Sequence, residues 1–442
     1  MNTKNRSLNE SVAQGKVMNR WLIAIMGTLL QVCLGTVYAW SFFQKPIMAE
    51  FGWNNAQVMW IFSLAICFLG LAAAWGGINL AKIGPTKLAM AGGVLYGLGY
   101  LLAALAMQQK SLVLFYLAFG VIGGCGLGLG YVTPVATAAK WFPDKKGFIT
   151  GMVVMGFGLG ALFMSKVLAP ILMKSFDGNL VTVFGCIGIT MLILATAAGS
   201  FMRNPPTGYV PAGYTPLATS AAAQAAGDAT TAKDCLVSRP FIILWLFFFA
   251  NICAGIMFIG MQSPMLQDLL KVGEKYANLD PAAAKVALAG AGATLIAISS
   301  LFNGVGRFFW GGLSDTIGRV KTFRIILASQ IFVFAALTQV TNPWLFGILV
   351  CYVLLCYGGG FGTAPSTVLT IFGARLMPVV YGILLTAWST AGIVGPQIAA
   401  MIKDKYPAHA PLYTFVTGAI VLTCGFALTF LINDKPFHKK SL

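Results

Sequence analysis

Within the apolar stretch Leu301-Phe302-Asn303-Gly304-Val305-Gly306-Arg307 stands a guanidinium with no acid beside it. Asp315 belongs near the edge of the membrane, just past the longer apolar run 285–313 that holds this stretch, so Arg307, eight residues earlier, lies ~12 Å deeper at ~1.5 Å per residue. All 12 acids of the chain, from Glu10 to Asp434, fall in tails, loops or the ends of apolar runs, so an internal ion pair has no partner to use. A cation in hydrocarbon costs at least ~2.5–3.5 kcal/mol, and such a residue is a functional candidate by default. The chemistry it offers is anion binding; the plain alternative is hydrogen bonding to backbone carbonyls or to Asn303, one turn earlier.

Other side chains extend that chemistry. Lys166 lies about 9 Å from the centre of its own apolar run, where it either contacts an anion or snorkels towards the outer vestibule. Tyr38, Trp40, Tyr131, Tyr357, Phe361 and Trp388 offer ring edges, hydroxyls and an indole N–H to a carboxylate, although packing or lipid contact is the commoner fate of an aromatic residue. Gln31, Asn251, Gln262 and Asn303 are polar candidates that helix-to-helix hydrogen bonds explain equally well. No Asp, Glu or His lies inside the runs, so no side-chain proton relay can be assembled there. A proton, if moved, travels with the cargo.

The elements that hold these residues follow from composition. Of the 442 residues, 58% are AVILMFWYC and 9% are charged, far from the ~25% charged of soluble domains. Twelve apolar runs are long enough to cross a membrane: 20–44, 56–80, 86–107, 111–139, 148–172, 180–202, 239–263, 285–313, 321–340, 343–372, 379–402 and 411–432. An even number places both ends on one side. That side carries 19 Lys/Arg against 8 on the other, so both termini are expected to be cytoplasmic. The chain divides into a tail at 1–19, six helices over 20–202, a linker at 203–238, six helices over 239–432, and a tail at 433–442. The linker's prolines and its Ala/Thr-rich stretch from Ala218 to Thr231 read as a tether. The positive charge tracks loops rather than one face, which argues against nucleic acid. The 9 Cys show no metal or disulfide spacing; no metal and no cofactor are expected. Nor is there a nucleophile–base constellation or a phosphate loop, so the chain is not expected to be an enzyme.

The halves repeat at an offset of 235 residues: Gly76-Gly77 match Gly311-Gly312, Gly123-Gly124 match Gly358-Gly359, Lys140 matches Arg375, Pro143 matches Pro378 and Gly147 matches Gly382. The expected fold is all-α, with twelve transmembrane helices in two pseudo-symmetric six-helix bundles. Glycines four apart (Gly120, Gly124 and Gly128; Gly156 and Gly160; Gly358 and Gly362) give smooth faces, serving either static packing or sliding.

The stretch Gly311-Gly312-Leu313-Ser314-Asp315-Thr316-Ile317-Gly318-Arg319 resembles the G-x-L-x-D-x-x-G-R loop signature of the major facilitator superfamily. There Asp315 and Arg319 would form a conformational latch; Gly76 to Lys87 lacks the matching acid, so the latch is one-sided. Three segments are similar to the oxalate/formate antiporter family: Val37-Tyr38-Ala39-Trp40-Ser41 with Pro46, Lys140-Trp141-Phe142-Pro143-Asp144-Lys145-Lys146-Gly147, and Leu301 to Arg307. The resemblance implies an arginine anion site at Arg307 and pocket aromatics at Tyr38, Tyr131, Tyr357 and Phe361. Oxalate carriers pair that arginine with a lysine in the eleventh helix, but 379–402 contain no Lys or Arg and Trp388 stands there, which counts against oxalate. Asn303 stands where the more distant monocarboxylate porters have an acid.

The expected function is secondary active transport of small organic anions, monocarboxylates or short dicarboxylates, as antiporter or proton-linked symporter. The expected partners are the carboxylate, a proton or counter-anion, and lipid. The protein is expected to be a monomer in a bacterial inner membrane. The rival readings are efflux of cations or drugs, which membrane acids would have favoured, and a transporter-like sensor, which would carry an added soluble domain.

Overall fold

The computed structural model describes residues 18–206, 209–211, 213, 230–271 and 279–437. The first seventeen residues, most of the Ala218–Thr231 stretch and the last five lie outside the described residues. Twelve helices among the described residues are long and apolar enough to cross a membrane. They are α1 Arg20–Phe51, α2 Asn55–Ile83, α3 Pro85–Gln108, α4 Leu112–Trp141, α5 Phe148–Ser175, α6 Leu180–Ser200, α7 Arg239–Lys271, α8 Pro281–Ile317, α9 Arg319–Leu337, α10 Pro343–Gly373, α11 Arg375–Lys405 and α12 Pro407–Leu431. The order matches the runs expected from hydropathy, but several helices outlast them. Thus α1 continues to Phe51 and α7 to Lys271, because a polar end leaving the hydrocarbon keeps its backbone hydrogen bonds by staying helical.

Caps and breaks set the ends. Asn54, Ser111, Asn179, Asp280 and Asn342 each accept hydrogen bonds from the first turn of the helix they precede, filling donors the helix itself leaves open. Gly318 (φ +98°) separates α8 from α9, and Gly373 (φ +79°) separates α10 from α11, a backbone region glycine enters without strain. Helix α1 tightens into a 3-10 turn over Thr36–Ala39, placing Tyr38 in the irregular stretch. Such stretches inside a membrane are tolerated where protein surrounds them. All four residues of this one are buried.

The glycine stripes settle a point the sequence left open. Cβ atoms at Gly120, Gly124 and Gly128 of α4 would strike Leu64, Ala65 and Leu69 of α2. Gly358 and Gly362 of α10 lie in the same way on the carbonyls of Asn303 and Arg307 of α8. Gly156 and Gly160 of α5 lie on Thr28 and Gly35 of α1. All three stripes therefore pack helices within one half, and the α4–α2 and α10–α8 pairs are the repeat seen in space. The halves meet along α2–α11 and α5–α8. Gly158 of α5 faces Gly304 of α8, where an added Cβ would come within 2.6 Å of the partner's Cα.

The face without the termini is tied from half to half. Asp268 of α7 accepts Lys45 of α1 (2.9 Å) and Lys403 of α11 (2.5 Å). Asp404 accepts the Asn55 side chain (2.9 Å) and the Ala56 N–H (3.1 Å) at the start of α2. On the termini face, the pairs Arg20–Asp144 and Arg319–Asp315 each stay within one half. A cavity of about 740 Å³ opens between the halves on that face, lined by Lys140, Pro143, Gly151, Arg307, Asp315, Arg319 and Pro378 among others.

Candidate functional site

Arg307 is the ceiling of that cavity. It is 0% exposed, although its residue belongs to the cavity lining. Its position is fixed by Gly362, whose missing side chain lets the α10 backbone press against the Arg307 carbonyl. The guanidinium reaches across the interface to the other half: Nη1 donates to the Val154 carbonyl of α5 (3.2 Å) and to the Tyr131 hydroxyl of α4 (3.5 Å). Nε donates to Asn303 Oδ1 at 3.4 Å. These are long contacts for a charged donor, which normally sits at ~2.7–2.9 Å from its acceptor. Nη2 has no hydrogen-bond partner among the described residues. The expected alternative, bonding to carbonyl and Asn303, is therefore present in weak form, and it leaves the charge uncompensated.

Aromatic rings enclose the cation. Its carbon lies 5.0 Å from the centre of Phe361 and 5.6 Å from that of Phe157. Trp388 lies among the rings, at 4.5 Å from Phe361, 5.1 Å from Tyr131, 5.5 Å from Phe157 and 6.2 Å from Tyr38. Tyr38 of one half and Tyr357 of the other join through their hydroxyls at 2.5 Å, above the arginine as seen from the cavity. Beyond them is a pocket of about 10 Å³ lined by Tyr38, Gln262, Ser299, Ser300 and Asn303. The layer of rings thus separates the termini-side cavity from a small space of mixed polar and aliphatic lining.

Arg307, Asn303, Tyr38, Tyr131, Tyr357, Phe361 and Trp388, all named from sequence, converge on one place. Lys166 does not join them. It is exposed, and its Nζ donates to Thr294 Oγ1 at 2.6 Å, thirteen residues from Arg307 along α8, or about 20 Å. Trp40 packs instead on Phe62 and Phe119 inside the first half. Asp315 and Arg319 pair with each other, Arg319 also donating to Ser314, at the cavity mouth.

Two residues of the site were missed. Phe157 touches Tyr38, Tyr131, Trp388 and the guanidinium, yet nothing marks it among 32 Phe except its place between Gly156 and Gly160. Tyr381 is buried, with its hydroxyl near those of Tyr131 and the Arg307 charge but without a formed hydrogen bond. Its signal was the seven-residue spacing to Trp388, which puts both on one face of a helix. No group of three or more His, Cys, Asp or Glu able to hold a metal occurs among the described residues.

Comparison with known proteins agrees with this geometry. The Major Facilitator Superfamily profile matches residues 22–396. The oxalate:formate antiporter of Oxalobacter formigenes is 27% identical over 95% of this chain and 93% of its own. The apicoplast pyruvate carrier 1 of Toxoplasma gondii is 25% identical over 92% of this chain and 86% of its own. Among solved structures, an inward-facing bacterial homolog of the human lysosomal transporter Spinster superposes with a TM-score of 0.62 at 16% identity, covering 93% of this chain and 96% of that one. The chain belongs to the Major Facilitator Superfamily and is a multi-pass membrane transporter, not an enzyme.

Proposed function

We propose that this protein carries small organic anions, each with a carboxylate held by Arg307, through alternating exposure of the site to the two faces. The observation that carries the reading is a fully buried arginine that has, among the described residues, a free Nη2 and no acidic partner, and that stands in the wall of the cavity between the halves. An anion entering from the termini face reaches this charge after passing Lys140, which favours negative cargo along the way, while Arg319 is paired with Asp315. Ring faces around it select a small, partly apolar body, and the relatives named for formate, oxalate and pyruvate support that class. The Lys/Arg asymmetry supports cytoplasmic termini, with the termini-side cavity facing the cytoplasm. The runs contain no Asp, Glu or His in their interiors, so exchange of two anions, or movement of the proton with the cargo, fits better than a side-chain relay.

The test is uptake of radiolabelled formate, acetate, pyruvate and oxalate into proteoliposomes. Saturable uptake by the natural chain and none by Arg307→Gln, at equal insertion, is the expected result. Equal uptake by the Gln variant refutes the reading.

A further inference from the structure

Three buried polar groups of the ring-lined site form no hydrogen bond of normal geometry among the described residues, Arg307 Nη2, Trp388 Nε1 and the Tyr381 hydroxyl; the Tyr357 hydroxyl beside the indole and the Tyr131 hydroxyl beside Tyr381 engage them only loosely. Their residues are 0%, 0% and 1% exposed. Native interiors leave few such groups, since each forfeits its bonds to water and receives nothing in exchange. Two of the three come from α11, and they share a helix face. Tyr131 connects them to the cation: its ring packs on Trp388 at 5.1 Å, and its hydroxyl accepts from Arg307 and lies near that of Tyr381.

We propose that α11 completes the anion site, with the Trp388 indole N–H and the Tyr381 hydroxyl donating to oxygens of a singly charged anion whose carboxylate Arg307 holds. This rests on the anion reading above and adds to it which helix recognises the cargo and how many charges the cargo bears. All three groups can donate, as an anion requires, and the guanidinium and the indole can do nothing else; a cationic ligand would be met by acceptors instead. The charge limit follows from the surroundings. Asn303, Tyr38, Tyr131, Tyr357, Tyr381 and Trp388 are neutral, Lys166 is elsewhere, Lys140 donates to Asn204 at the exposed end of α4, and Arg319 is held by Asp315 at the mouth. One fixed cation balances one carboxylate. A second carboxylate on the same molecule would lie among ring faces and neutral donors, stripped of water without an opposite charge.

The experiment uses the purified full-length chain, with binding read by calorimetry and melting by fluorescence. The probes are acetate and pyruvate as monoanions, malonate and succinate as dianions. The variants are Trp388→Phe and Tyr381→Phe, which keep a ring in place. The natural chain is expected to bind the monoanions at least about tenfold more tightly than the dianions, and each variant to lose about tenfold in monoanion affinity. The ligand-free variants are expected to melt at or above the natural chain, because each has lost an unpaired buried polar group. A purely structural role would lower that melting point instead, and that result overturns the proposal. So does monoanion binding unchanged in both variants, or dianions binding as tightly as monoanions. Failure of the natural chain to bind any of the four, or full binding by Arg307→Gln, would strike the anion reading itself rather than the role of α11.

Discussion

The hydroxyls of Tyr38 and Tyr357 meet at 2.5 Å across the boundary between the two halves. Tyr38 comes from the 3-10 turn of α1 and Tyr357 from α10, and neither ring is more than 2% exposed. Any separation of the halves on the side away from the termini has to break this bond.

Removing one hydroxyl should loosen that closure. A buried neutral hydrogen bond contributes about 1 kcal/mol, so Tyr357→Phe should raise the population open on the far side by roughly fivefold. Hydrogen exchange followed by mass spectrometry should then be faster in the Thr36–Ala39 turn than in the natural chain. Unchanged exchange there would mean that the ring packing of Tyr38 on Phe157, not the hydroxyl pair, holds the turn.

The Asp268 carboxylate is held by Lys45 and Lys403 at a partly exposed position. Each pair contributes little in such a setting, typically about 0.2–1 kcal/mol, but together they connect α1, α7 and α11. A double-mutant cycle of Lys45→Met with Asp268→Asn should give a coupling of roughly 0.5–1 kcal/mol in thermal unfolding, reduced by 0.5 M salt. Additive effects would show that the pair does not hold the halves together.

Glycine positions separate packing from open space. Gly362→Val would drive α10 off the Arg307 carbonyl, destabilising by about 1–3 kcal/mol and reducing anion affinity with it. Gly290 lies in α8 with nothing near its missing side chain, so Gly290→Ala should be neutral or stabilising by up to about 1 kcal/mol. Melting curves of the two variants check both signs.

Lys166 and Arg307, the two cations inside apolar runs, should behave differently. Lys166 is exposed and bonded to Thr294, so Lys166→Met should change anion affinity by no more than about fivefold. Arg307→Lys should lose most binding, because the compact ammonium cannot reproduce the planar fork at this depth. Titration calorimetry with acetate distinguishes them; a loss at Lys166 equal to that at Arg307 would place the lysine in the site.

Much of the site was legible because its signals are local. A guanidinium inside an apolar run and acids confined to the ends of runs can be read from composition and spacing, and so can a repeat at 235 residues. What escaped depends on tertiary contact. Tyr381 lies three residues past Pro378, where the hydropathy run had barely begun, yet the helix starts at Arg375 and its packing buries the ring. Lys45, Asp268 and Asp404 read as loop charges because hydropathy ends before the helices do, and only the fold shows that they tie the halves. The glycine stripes were visible, but spacing cannot say which neighbour a smooth face meets.

The contact of Gly158 with Gly304 has a mechanical consequence. The two helices approach most closely where neither carries a side chain, with Leu159 and Ser300 packed beside the crossing, and a rod that pivots there moves its ends in opposite directions. Bringing the ends together on one side draws them apart on the other, as on a see-saw. In the proposed transport cycle, coordination of the two openings then needs no messenger; the crossing of two backbones supplies it.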